Sequence, residues 1–172
     1  MSWNPDELNR RAAFHEAGHA VAAVAVGYRV RELWIDGDYS GHCGDDHSSQ
    51  ETTTPAGVYR MAIVALAGWI ADAINAGRPE LIDERRREIL ELICNAAARE
   101  IEEEDDEGGD ALAVACLLAD GRAGDPAELL ADANDEAERI VREEWGTIEA
   151  VAAELLAAEP GTTPPTALAL IG

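Results

Sequence analysis

The chain has 172 residues, with 35 acidic residues against 13 basic ones, all arginine, and a formal net charge of -22. That length suits one domain, residues 1–172, with a real hydrophobic core. The charge argues against nucleic acid or an anionic membrane as partners, and the lack of lysine excludes a Walker A phosphate loop, a lysine Schiff base and a Ser-Lys dyad.

No stretch approaches the roughly 18 to 20 apolar residues that span a membrane. The longest apolar run, Met61 to Ala71, reads as a buried helix. The first residues show no basic region followed by an apolar core, so no signal peptide is expected and the location is read as cytoplasmic. Cys43, Cys94 and Cys116 are widely spaced and form no C-x-x-C pair, which fits reduced thiols.

In chain order, Asn4-Pro5-Asp6-Glu7 is a helix start, with Asn4 as cap and Pro5 at the first helical position. The spacing predicts a helix to about Val26, stopped at Gly27. Val30 to Asp36 is rich in β-branched and aromatic residues and is predicted as a strand. Asp36-Gly37-Asp38 is a turn signal, and Tyr39 to Cys43 is the return strand of a short antiparallel sheet. Thr54-Pro55 opens a second helix, about Ala56 to Ala76, apolar nearly all round and therefore central. A third helix runs from Pro79 toward Glu103, followed by an acidic run and Gly108-Gly109. Asp110 caps a further helix over Ala111 to Asp120. Asp125-Pro126-Ala127-Glu128 is a capping box before a long amphipathic helix. Gly146 is expected to break that helix before another over Thr147 to Ala158, and the Pro- and Thr-rich tail from Glu159 is expected to be extended. The fold class is mainly α, with a small antiparallel β element beside the first helix.

The first helix carries His15-Glu16-Ala17-Gly18-His19, an H-E-x-x-H sequence. Residues i and i+4 share one helix face, so His15 and His19 can bind one metal ion. Glu16 is then placed to act as general base on a water that the ion acidifies. The bland alternative is three ordinary polar residues on a surface helix. Apolar and small flanks (Phe14, Ala17, Ala20, Val21) and Gly18 inside the helix argue instead for a packed, inward-facing site. Zn2+ is the metal this donor set suits, and it needs a third protein ligand. On spacing alone Asp72, Glu107 and Asp110 compete for that place. Asp72 near the end of an apolar helix is also a candidate partner for the ring N–H of a metal-bound histidine. His42, Cys43, Asp46 and His47 lie in a glycine-containing stretch whose spacing matches no common zinc motif, and this stretch reads as a polar loop at a cleft rim.

Taken together, these segments resemble the peptidase domain of FtsH-type zinc proteases. The likeness rests on Phe14-His15-Glu16-Ala17-Gly18-His19-Ala20-Val21, on Leu66-Ala67-Gly68-Trp69-Ile70-Ala71-Asp72, and on Gly109-Asp110 with its Ala-rich helix. It continues through helices from about Leu129 to Leu156 and reaches Thr162-Thr163. Asp72 stands where the family has Glu, and Trp69-Ile70 replace small and basic residues. The sequence lacks the AAA ATPase module and the membrane anchor that the family carries upstream. The resemblance implies a zinc endopeptidase, ATP-independent in itself, with Glu16 as general base and His15, His19 and Asp110 as metal ligands. It implies an unfolded or flexible protein substrate bound along Tyr39, Ser40, Gly41, His42 and Cys43, and a separate ATPase or regulatory partner. Oligomers are compatible with it. Two alternatives remain beside it: a regulatory metallopeptidase specific for one partner protein, and a non-catalytic metal-binding or interaction protein that kept the fold.

Overall fold

A computed structural model describes residues 4–37, 40–47, 54–96, 115, 118 and 124–172. Among them the chain is mainly helical, with one two-stranded antiparallel sheet. The elements are α1 (Pro5–Ala25), β1 (Val30–Ile35), β2 (Gly41–Asp45), α2 (Pro55–Asn75), α3 (Glu80–Ala96), α4 (Pro126–Glu143), α5 (Trp145–Ala157) and α6 (Pro165–Ile171).

Local signals set most of these boundaries. The Asn4 side chain accepts from the Asp6 N–H, Thr54 from Gly57, and Asp125 from Ala127 and Glu128, each satisfying donors that a helix start leaves open. Gly27 and Gly77 follow α1 and α2 with φ of 97° and 67°, a conformation that costs other residues dearly. The tail differs from expectation. It forms α6 because Pro165 sits at the first helical turn and Ala167 and Ile171, four apart, bury one stripe. The break before α5 falls at Glu144 rather than at Gly146.

α1 and α2 form an antiparallel pair at the centre. Arg10 reaches Asn75 and Arg11 reaches Asp72 at one end, while His19 meets Val64 at the other. The pair is close because small residues line the crossing. A Cβ on Gly18 would stand 2.6 Å from the Ala67 carbonyl oxygen and 2.8 Å from the Ala71 Cβ. α4 packs on α2, and α5 packs on α1 through the stacked rings of Phe14 and Trp145, 5.5 Å apart. Trp69 docks α3: its indole N–H donates to the Leu81 carbonyl and Arg85 lies over its ring at 4.4 Å. Ala115 and Leu118 are helical and buried.

α2 corrects one expectation. It is long and apolar enough, with a mean hydropathy of 1.4, to cross a membrane by length and composition. Its apolarity is used here in packing: Val58, Ile63, Leu66 and Ile70 are buried in the core.

β1 pairs with β2 in the register Leu33↔Cys43, Trp34↔His42 and Ile35↔Gly41, with an irregularity between Val30 and Glu32. The outer edge of β1 is taken. The Leu33 N–H donates to Thr163 Oγ1 at 3.1 Å, and Gly161 N–H donates to the Ile35 carbonyl at 2.9 Å. Among the described residues, β2 has no strand on its other side.

Candidate metal centre and its cleft

α1 presents His15 and His19 one turn apart on a half-buried face, with Glu16 beside them at 8% exposure. The two Nε2 atoms converge to 3.0 Å, and the rings meet edge to face. Two nitrogens bound to one tetrahedral zinc at about 2.05 Å stand about 3.3 Å apart. The observed pair is therefore within a few tenths of an ångström of a metal-binding arrangement. His19 Nδ1 lies 2.7 Å from the Val64 carbonyl oxygen. That carbonyl can only accept, so Nδ1 carries the hydrogen and Nε2 keeps a lone pair in the neutral ring. Two such imidazoles suit zinc, and among the described residues no third His, Cys, Asp or Glu joins them in one cluster.

Two glycines make room for these side chains. A Cβ on Gly68 of α2 would lie 2.5 Å from His19 Nε2, and one on Gly41 of β2 would lie 2.5 Å from Glu16 Cγ and 2.8 Å from its Oε1. Both contacts are closer than real Cβ atoms make, so a side chain at either place would push Glu16 or His19 from its position. Composition gave no sign of this. An isolated glycine in an otherwise apolar helix was the available signal at Gly68.

Asp72 requires a correction. Its carboxylate, almost fully buried, takes the guanidinium of Arg11 rather than an imidazole, with Arg11 Nη2 2.7 Å from Oδ2 and Nε 3.1 Å from Oδ1. The side-chain hydrogen bond to Asp72 raises the Arg11 pKa above its ordinary value. Arg11 stands one turn before His15, so Asp72 meets the metal-site helix one turn short of the histidines. The antiparallel crossing fixes that offset, and Val64 falls opposite His19 instead. Of the other ligand candidates, Asp110 and Glu107 lie outside the described residues.

The metal-site face opens into a pocket of about 330 Å³. His15, Glu16 and His19 form one wall, Met61, Val64 and Ala65 of α2 another, and the β hairpin the third. Gly41, His42 and Cys43, expected to meet substrate, all line it; Ser40 is exposed beside the hairpin turn, and Tyr39 lies outside the described residues. His42 also rests against Trp34, with ring centroids 5.5 Å apart. Cys43 is held as a thiol: burial pushes its pKa well up, and the charges of Glu16 and Asp45 push the same way. A thiol so held is neither a ready nucleophile nor a ready zinc ligand. Asp46 turns away to Arg29, accepting its N–H at 2.7 Å. Tyr28, Asp45 and His47 complete the lining; Asp45 and His47 belong to the stretch read as a cleft rim, whereas Tyr28 was not expected there, and its place just before the hairpin was its available signal.

Residues 9–82 match the family model of Peptidase M50B-like proteins. That stretch covers less than half of the chain, yet it contains nearly all of α1 and the whole of the hairpin and α2, hence every described wall of the pocket. The match supports a metallopeptidase of the M50-like kind, and M50 metallopeptidases are zinc-dependent. A comparison with curated proteins gives no match.

Proposed function

We propose that this protein is an FtsH-type zinc endopeptidase that cleaves flexible or unfolded polypeptides. The observation that carries the reading is the convergence of His15 Nε2 and His19 Nε2 beside a buried Glu16, next to β2, whose other edge has no strand among the described residues. His15 and His19 would hold the metal, with Asp110 as the proposed third ligand. The Val64 carbonyl fixes the His19 ring, so the imidazole need not reorient on binding. Bound zinc supplies Lewis acidity, polarising a carbonyl and bringing water toward neutral acidity.

The chain's own residues perform the rest. Glu16 takes one proton from the attacking water and returns it to the amide nitrogen as the C–N bond breaks, so water and amide become acid and amine. β2 receives the substrate backbone as an added strand, because β1 is already covered by residues 161–163. Such pairing demands an extended chain and little side-chain sequence, which favours unfolded substrates. A folded substrate would need a separate unfoldase.

Chelation tests this. Purified protein should cleave fluorescein-labelled casein, lose that activity when zinc is stripped, and recover it on addition of about one equivalent of zinc. Cleavage that persists in metal-free protein would overturn the proposal.

A further inference from the structure

The hairpin places a second polar group against the pocket that the mechanism above does not use. Asp45 ends β2, and its Oδ1 accepts from both the backbone N–H of His47, at 2.9 Å, and the His47 ring Nδ1. The Asp45 side chain is 7% exposed, while that of His47 is 41% exposed. Three further contacts fix where His47 stands. Asp46 N–H donates to the Arg29 carbonyl at 3.0 Å, Asp46 Oδ1 accepts from the Arg29 N–H, and the His47 ring lies against Tyr28 with centroids 6.1 Å apart. With Nδ1 engaged, Nε2 is the polar atom the ring has left, and it makes no hydrogen bond to the described residues.

Both His47 and Glu16 line the same pocket. They face one cavity of about 330 Å³, the size of a small ligand site. When water adds to a peptide carbonyl, the new C–O bond pushes the π pair onto the carbonyl oxygen. That oxygen gains charge and needs donors already aimed at it.

Resting on the peptidase reading, we propose that His47, held by Asp45, is a catalytic hydrogen-bond donor to this developing oxyanion through Nε2, which carries a hydrogen when the ring is protonated on both nitrogens. His47 transfers no proton in the step; Glu16 keeps that role. Asp45 is a positioning residue that acts through the ring.

The experiment uses the zinc-loaded full chain and a quenched-fluorescence peptide taken from its main casein cleavage site. His47→Ala should lower kcat about 100-fold, with KM within about threefold and zinc content unchanged. His47→Phe should match His47→Ala, because it keeps a ring without the polar atom. His47→Gln should recover part of the loss through its amide donor, and Asp45→Asn should lower kcat by a smaller factor at unchanged KM. Active wild type with an unaltered kcat in His47→Ala overturns this inference alone. So does a loss carried wholly by KM, or loss of zinc from the variant. A zinc-loaded wild type that cleaves nothing overturns the peptidase reading and this inference with it.

Discussion

Glu16→Gln is expected to reduce casein hydrolysis by about 1,000-fold or more while the protein keeps its zinc and its fold. The substitution preserves shape, which matters because Glu16 is 8% exposed and packed against the backbone of Gly41. An amide fits the space of the carboxylate but cannot take a proton from water. The ligand histidines lie on the same helix and are untouched, so zinc stoichiometry should stay near one per chain. Zinc analysis and casein cleavage on the same preparation separate loss of the base from loss of the site. Activity within tenfold of wild type would show that another group is the base.

Gly68→Ala is expected to empty the metal site. The added methyl would stand 2.5 Å from Nε2, 2.6 Å from Cε1 and 2.9 Å from Cδ2 of His19, so it strikes the ring broadside. The ring cannot slide away, because Nδ1 is held 2.7 Å from the Val64 carbonyl, one turn earlier on α2. It must rotate out and abandon both its orientation and the convergence with His15. Zinc affinity should fall by at least 10- to 100-fold, the range seen when orienting contacts are lost, and casein cleavage should fall with it. Gly146→Ala is the matched control. Gly146 lies in α5 with no atom within 4 Å of an added Cβ. There the same chemical change should leave zinc binding intact and stabilise the helix by up to about 1 kcal/mol. Equal zinc binding by Gly68→Ala and wild type would contradict the geometry described for His19.

The legible part of this molecule was whatever local periodicity encodes. The H-E-x-x-H spacing put two histidines on one face of α1, and the caps at Asn4, Thr54 and Asp125 lie where side-chain chemistry required. The hairpin was legible from its β-branched strand and turn, though β2 sits two residues later at its start than expected. What the sequence hid depends on how elements meet. Asp72 was readable as a buried acid needing a partner, but the α1–α2 register assigns it Arg11 and gives His19 a backbone carbonyl instead. No side-chain pattern announces a carbonyl. Gly41 and Gly68 were hidden for the same reason: what their missing Cβ atoms spare lies on another element. The tail misled because its prolines and threonines read as extended chain, whereas Pro165 opens α6 and Ala167 and Ile171 anchor it.

The most direct measurement is zinc-edge X-ray absorption on purified wild type supplied with one equivalent of zinc, beside His15→Ala. About one tightly bound zinc is expected, with two imidazole nitrogens near 2.0 Å, oxygen in the remaining positions and no sulfur, and one imidazole fewer with weaker binding in the variant. A wild type that binds no zinc, or a zinc environment unchanged in His15→Ala, would contradict the assignment of His15 and His19 as the metal centre.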